Sequence, residues 1–282
     1  MKPPNHPSNR PPPRTPAPSS KRAEDPKPAA EKSDRSAQSD KALARIAGFS
    51  AVSALFAAAP ERVERLFFDE KSAPRAKDFC QFMAKARKPY RLVPRQELDK
   101  IAGTPIHGGI VAVAQPRPVL PFDPEAAKSW ASDGRPLLIL DGVGNPHNLG
   151  AIMRTTAFFG LPRVVLSDHP QQAMPSDASY RVSEGGFEHI DVYRATKFSE
   201  QLAKLRGAYR IIGAAPGGKS SVPVRRKGEP PFALLLGNEE HGLPKTSLDV
   251  CDNIVAIEGA GKVESLNVSA AAAILIHALA QK

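Results

Sequence analysis

Three short segments in the second half of the chain carry side chains that can do chemistry together. They are Asn145-Pro146-His147-Asn148-Leu149-Gly150-Ala151-Ile152-Met153-Arg154, Leu236-Gly237-Asn238-Glu239-Glu240-His241-Gly242-Leu243 and Val263-Glu264-Ser265-Leu266-Asn267-Val268-Ser269-Ala270-Ala271. Asn148, Arg154, Glu239, Ser265 and Asn267 supply two amides, a guanidinium, a carboxylate and a hydroxyl. Such a set can hold an anionic or polar ligand. Interleaved glycines let the backbone approach a ligand closely. Each segment begins where an apolar run ends, and in open α/β sheets the carboxyl ends of strands are where ligands bind.

Each residue also has a plainer use. Asn148 suits a helix N-cap, and either Ser265 or Asn267 could cap the last helix. Glu239 stands just beyond the apolar run Leu234–Leu236, where carboxylates commonly cap or pair with a cation. Arg154 could be a solvated helix cation, but its neighbours Ile152, Met153, Phe158 and Phe159 are apolar. That setting favours a partly buried arginine with an anionic partner, and Glu239 is the expected one. Glu240 and His241 read as exposed.

Two further motifs are weighed against these. Gly213 to Ser220 spells a phosphate-loop string after the apolar Tyr209–Ile212. A phosphate loop needs a helix to start at its lysine, and Gly228, Pro230 and Pro231 would end one almost at once, so a flexible glycine loop is the better reading. Lys85, Arg87, Lys88, Tyr90, Arg91 and Arg95 form a basic run with one aromatic residue and no acid. A run of this kind is either a solvated face or a contact for RNA.

The elements that must position these groups alternate. Residues 41–115 read as helix Phe49–Ala59, strand Val63–Phe68, helix Ala76–Arg87, strand Tyr90–Val93, helix Gln96–Ile101 and strand Ile110–Ala114. Residues 116–134 hold four prolines without a clear period and read as a linker. From residue 135 the alternation resumes, with strands at Leu137–Asp141, Arg163–Leu166, Arg210–Ala214, Phe232–Leu236 and Asn253–Ile257. Helices are expected at Leu149–Phe159, Phe198–Arg206 (capped by Thr196 or Ser199), Lys245–Val250 and Val268–Lys282. This pattern predicts an α/β fold with a mostly parallel or mixed sheet in each of two domains.

The chain has 282 residues and a formal net charge of +10, which points to a polyanionic partner, nucleic acid before membrane. Residues 41–115 hold 13 basic and 7 acidic side chains, and residues 116–282 hold 18 and 17, so the excess is concentrated in the first domain. Residues 1–40 contain ten prolines and no aromatic residue and read as a disordered, mildly basic tail. Two distant cysteines, Cys80 and Cys251, make neither a disulfide framework nor a metal site and suit a reducing cytosol. No signal peptide or membrane span is visible, and the expected location is the cytoplasm.

The three segments resemble the motifs of the TrmH-type (SpoU) branch of the SPOUT methyltransferases, which move a methyl group from S-adenosylmethionine to a ribose 2′-oxygen in RNA. The resemblance covers residues 136–282, including Ser179 to His189. Residues 41–115, closing on His107-Gly108-Gly109-Ile110-Val111-Ala112-Val113, resemble the family's N-terminal substrate-binding domain, which is similar to certain ribosomal proteins. It implies a C-terminal sheet threaded into a trefoil knot, although true knots are rare. It implies Asn148, Arg154, Glu239, Ser265 and Asn267 as catalytic residues. The cofactor would be held, without metal, by a backbone cradle at Leu236, Gly237, Gly242, Ile257, Gly261 and Leu266. One departure is Ile257-Glu258-Gly259, where the family often has Ile-Pro-Met.

The resemblance further implies a homodimer, to which the apolar, alanine-rich Val268–Ala280 is suited. The two-domain layout favours ribosomal RNA over tRNA, with Lys85, Arg87, Lys88 and Arg91 as RNA contacts. The alternative is an RNA-binding protein that keeps the fold without the activity.

Overall fold

The computed structural model describes Met1 and residues 43–219 and 228–280. The tail read as disordered thus lies, Met1 apart, outside the described residues, as does the end of the glycine-rich string from Ser220.

Two sheets organise the chain. The first is built from β1 (Ala44–Ala47), α1 (Phe49–Ala58), β2 (Val63–Phe68), α2 (Lys77–Lys85), β3 (Tyr90–Leu92), α3 (Arg95–Ala102) and β4 (Ile110–Ala114). Its order is β1-β4-β2-β3. β4 runs antiparallel to β1 and β2, and β2 pairs in parallel with β3. All five residues of β4 are buried, as befits an apolar, β-branched central strand.

The second sheet follows β5 (Val119–Pro121), α4 (Pro124–Trp130), β6 (Leu137–Asp141), α5 (Pro146–Phe158), β7 (Arg163–Leu166), α6 (Asp177–Ser183), β8 (Asp191–Arg194), α7 (Phe198–Ala203), β9 (Arg210–Lys219), β10 (Phe232–Gly237), α8 (Lys245–Leu248), β11 (Asn253–Val255) and α9 (Val268–Ala280). Its order is β11-β9-β10-β6-β7-β8-β5, with every pairing parallel. β6 and β10 are wholly buried and, Asp141 at the end of β6 apart, apolar throughout, as strands covered on both faces must be. From β6 the chain runs outward to β7 and β8 on one side, then returns to β9, β10 and β11 on the other. The switch point, where such sheets open a crevice for ligands, therefore lies between β6 and β10.

Alternate strand residues pack on opposite faces. Leu138, Leu140, Leu234 and Leu236 meet Leu149 and Ile152 of α5 and Leu275 and Ile276 of α9. Leu137, Ile139, Ala233 and Leu235 meet Ala127 of α4 and Phe198 and Leu202 of α7. The first cluster continues without a break into Ile46, Leu55, Leu66 and Met83 of the first sheet. The two sheets therefore share one core.

That junction is also polar. Arg62 pairs with Glu188, which is 2 % exposed; Arg45 pairs with Asp177, and Arg117 reaches Asp191 and the Glu188 carbonyl. Gly185 (φ +96°) lies so near Ala54 of α1 that a Cβ there would overlap it. Glu188→Ala, which strands a buried guanidinium, is expected to cost about 3 kcal/mol of stability, measured as a lower urea midpoint at unchanged slope.

Several expectations need correcting. Residues 116–134 are not an unstructured linker: β5 becomes the edge of the second sheet, and α4 starts at Pro124 with Asp123 accepting from the Glu125 amide. Strands β1 and β8 and helix α6 were not anticipated. Neither Thr196 nor Ser199 caps α7; the Gln201 side chain accepts from the Thr196 amide instead. β9 continues as strand through Lys219, so no helix begins at that lysine and the phosphate-loop geometry is not formed. His107, Gly108 and Gly109 have a structural use. The His107 ring accepts from the Gly109 amide and meets Asp99, and Gly109 (φ +82°) has no room for a Cβ beside Ser72 and Asp69.

Candidate active site

Helix α5 begins with Asn145, whose side chain accepts from the His147 amide, and Pro146 at its first position. Proline is pre-shaped for that place, where its missing N–H is no loss. The cap is therefore Asn145 and not Asn148. Asn148, one turn in, is free to turn its amide toward the crevice, and it is 9 % exposed.

Glu239 follows β10 in a tight turn closed by two backbone hydrogen bonds between Asn238 and Gly242 (2.9 and 3.0 Å). The Asn238 side chain accepts from the Glu240 and His241 amides and donates to the Gly142 carbonyl at 2.8 Å, tying the β10 turn to the loop after β6. A Cβ on Gly237 would overlap the Gly242 backbone, and Gly242 has φ +68°. The turn's own geometry thus requires both glycines.

The Glu239 carboxylate receives Asn148 Nδ2 at 2.8 Å, the Gly144 amide at 3.0 Å and the Asn145 amide at 3.3 Å. Asn148 Oδ1 in turn accepts from Asn267 Nδ2 at 3.0 Å, and Asn267 Oδ1 accepts from the Ser269 amide at 2.8 Å. Asn267, not Ser265, is therefore the residue that caps α9. One hydrogen-bonded chain, Glu239–Asn148–Asn267, joins all three sequence segments. Such networks hold a unique geometry when their members are satisfied.

Burial pushes the Glu239 carboxyl up, but the Asn148 side chain and the Gly144 and Asn145 amides outweigh it, and its pKa is lowered from 4.5. A carboxylate depressed in the folded state stabilises above its unfolded pKa and loses that contribution as pH falls through the folded value. The turn is expected to hold at neutral pH and loosen below about pH 4.5. Hydrogen exchange at the Gly144 and Asn145 amides across that range checks this, and Glu239→Gln removes the dependence.

The three loops surround a pocket of about 740 Å³, lined by Gly144, Asn148, Glu239, Ser265, Leu266 and Asn267 among others. That size suits a small-molecule or cofactor site. Leu266 is 47 % exposed and offers an apolar surface at its rim. Residues 256–267 form neither helix nor strand, which leaves their amides outside regular structure.

Arg154 is placed differently from expectation. It is not buried and does not meet Glu239. Its side chain is 58 % exposed and its Nη1 lies 3.0 Å from Glu184 Oε1. The reason is helical geometry: Arg154 is six residues beyond Asn148, a rotation of about 240° and an advance of about 9 Å, so the two side chains leave α5 on different sides.

Of the expected cradle residues, Leu266 lines the pocket. The Leu236 side chain is core, Ile257 packs against that core, and Gly261 is exposed at φ +72°. In the basic run, Lys85, Arg87 and Arg91 are exposed, although Arg91 faces Glu97 at 3.6 Å. Lys88 is structural: its ammonium donates to the Glu61 and Val63 carbonyls, both at 2.6 Å, and faces Glu64.

Sequence reasoning missed Asn145, Asn238 and Gln172. The Asn-Pro pair at a helix start could have flagged the first. Gln172 is buried and accepts from the Gly142 and Val143 amides across 30 and 29 residues, a link with no local signal. Among the described residues, no group of His, Cys, Asp and Glu is arranged to hold a metal ion, and no helix is long and apolar enough to cross a membrane.

A parallel sheet whose switch-point crevice is edged by an Asn, Glu and Asn network defines an α/β protein with a ligand site at its strand ends, and comparison narrows this. Residues 135–277 match the SpoU rRNA methylase family, and residues 45–120 match the RNA 2′-O ribose methyltransferase substrate-binding model. The 23S rRNA (guanosine-2′-O-)-methyltransferase RlmB of Pseudomonas aeruginosa is 32% identical over 236 residues, which are 82% of this chain and 94% of that one. The uncharacterized tRNA/rRNA methyltransferase YfiF of Escherichia coli is 34% identical over 238 residues, 82% of this chain and 66% of that longer one. Among solved structures, an RNA 2′-O ribose methyltransferase (TM-score 0.68, 21% identity, 87% of this chain and 90% of that one) shares the fold. So does an rRNA methyltransferase from Sinorhizobium meliloti (TM-score 0.67, 19% identity, 87% and 89%). The chain belongs to the SpoU rRNA methylase family and carries a domain matching the substrate-binding domain of RNA 2′-O ribose methyltransferases.

Proposed function

We propose that this protein methylates a ribose 2′-oxygen in ribosomal RNA at the crevice between β6 and β10, and that it does so as a homodimer. The observation that carries the placement is the Glu239–Asn148–Asn267 chain around one pocket. Ribosomal RNA is favoured over tRNA because the RlmB relatives align over 94% of their length or more. The trefoil knot belongs to the same reading. Two free cysteines fit a cytoplasmic location.

S-adenosylmethionine brings an electrophilic sulfonium methyl group, and the pocket's size, apolar Leu266 and irregular 256–267 backbone suit it. The protein's residues must hold the ribose hydroxyl in line with that methyl group, and positioning of this kind can supply about 7–11 kcal/mol. Ser265, which lines the pocket, and Asn267 fix the ribose or the backbone of the first motif; Glu239 and Asn148 keep the motif loops in register. Arg154 remains a cation, since guanidinium does not deprotonate in proteins. It clamps the RNA phosphate bidentately and stabilises the alkoxide that develops, while the hydroxyl proton leaves to phosphate or water.

The homodimer explains how Arg154 can act although it faces away from its own pocket. Phe158, four residues on, is 83 % exposed, and Ile274 on α9 is 46 % exposed; both are large and apolar, as interface cores are. A dimer built on this flank would offer Arg154 to the partner's pocket. Ile274→Glu places a charge on this exposed face of α9 and tests the dimer. Light scattering should show a wild-type dimer and a monomeric variant; a wild-type monomer refutes this part of the proposal.

The first sheet supplies RNA affinity. Neutralising Lys85, Arg87 and Arg91 together, with Lys88 left in its structural place, is expected to weaken RNA binding and flatten its salt slope by about two to three units. Affinity for S-adenosylmethionine should not change. Mapping 2′-O-methyl sites in total RNA with and without the protein tests the whole reading. Binding of RNA and cofactor with no site gained would favour the inactive RNA-binding alternative.

A further inference from the structure

Glu184 occupies a position that the backbone would rather give to glycine. It follows α6 as its C-cap with φ 46° and ψ 39°, left-handed values at a place where helices usually end in Gly or Asn. The next residue, Gly185, is also left-handed. A side chain such as glutamate is strained there, and strained backbone outside glycine concentrates where a side chain has work to do. The carboxylate so placed meets Arg154 Nη1 at 3.0 Å.

The surrounding packing aims the pair. α6 lies close on α5, because a Cβ on Gly150 would stand 2.6 Å from the Ser179 carbonyl oxygen. The turn after Glu184 is equally close, since a Cβ on Gly186 would stand 2.8 Å from the Met153 carbonyl oxygen and 3.0 Å from Arg154 Cα. Glu184 is thus held in a rigid turn directly beside the base of the Arg154 side chain.

We infer that Glu184 is a positioning residue for Arg154, fixing the guanidinium fork in one orientation on the exposed flank of α5 so that it meets RNA already aligned. The role that Glu239 does not fill for this arginine, Glu184 fills. The inference rests on the reading that Arg154 acts in methyl transfer. An exposed pair adds little to stability, so its consequence should appear in catalysis and not in folding.

The test compares Glu184→Gly, Glu184→Gln and Arg154→Ala, alone and as the Glu184→Gly/Arg154→Ala double variant, in the full-length protein. Glycine relieves the left-handed strain, so the melting temperature should hold or rise. The kcat for methyl transfer should fall roughly threefold to tenfold, with the KM for S-adenosylmethionine unchanged. Glutamine, which keeps one acceptor without the charge, should fall between wild type and Glu184→Gly. The double variant should be no slower than Arg154→Ala, because coupled residues are not additive. A wild-type kcat in Glu184→Gly beside a crippled Arg154→Ala overturns the inference and leaves the role of Arg154 standing. A near-wild-type Arg154→Ala overturns both. If Glu184→Gly fails to fold, wild-type kcat in a stable Glu184→Gln variant overturns it equally.

Discussion

Arg154→Ala should lower methyl transfer by at least about a hundredfold, the scale for losing one charge-stabilising donor. It should leave the melting temperature and S-adenosylmethionine affinity close to wild type. The structure makes the separation sharp. Arg154 is 58 % exposed and its partner Glu184 is 47 % exposed, so the pair contributes little to folding. Arg154 also lies outside the hydrogen-bonded chain that holds the pocket loops together. Arg154→Lys should also be poor, because an ammonium cannot reproduce the planar fork that grips phosphate by two bonds. Single-turnover methylation of RNA beside thermal unfolding and calorimetry measures all three quantities. Methylation by Arg154→Ala near the wild-type rate would reduce the arginine to a surface cation and move the search to Glu239.

Mixing two inactive variants should restore activity. Glu239→Ala removes the acceptor of three donors and should abolish the pocket's order as well as its chemistry, because unsatisfied donors in a half-buried loop cost about 1–3 kcal/mol each. Arg154→Ala removes the cation but keeps the pocket. If each site takes its pocket from one chain and its arginine from the other, an exchanged heterodimer has one intact site. At random exchange the mixture should recover about a quarter of wild-type activity. Recovery that stays at the sum of the two parents would show that Arg154 serves its own pocket, which then requires α5 to turn. Adding Ile274→Glu to both chains should cancel the recovery by preventing exchange into dimers.

The elements legible in the sequence are those with a strong local signal. β2, β4, β6 and β7 keep the bounds their sequences suggest; β4 and residues 137–140 of β6 are apolar because they are buried on both faces. Helices α1–α3, α5 and α7–α9 were visible from their apolar periodicity, whereas α4 and α6 were not. The missed elements are short or sit at edges. β1 has four residues and β5 three, and β8 reads Asp-Val-Tyr-Arg; segments this short carry little periodicity, and partners far along the chain decide them. Residues 116–134 looked like a linker because prolines mark them, yet Pro121 is tolerated where β5 forms the outermost strand, the place in a sheet that can spare a donor.

The sequence by itself determined which groups are available for chemistry and that they gather at strand ends: Asn148, Glu239 and Asn267 do meet, at 2.8 and 3.0 Å. This followed from the local rule that loops at the carboxyl edge of a parallel sheet converge. Only the tertiary structure decided the direction of each side chain. It assigned the cap of α5 to Asn145 and so freed Asn148. It took Lys88 out of the RNA-facing set by engaging its ammonium with the Glu61 and Val63 carbonyls. It turned Arg154 away from Glu239 toward Glu184. The physical reason is the same each time. Residue type and spacing set what a group can bond to, but rotation about a helix axis and the approach of a segment distant in sequence set what it does bond to.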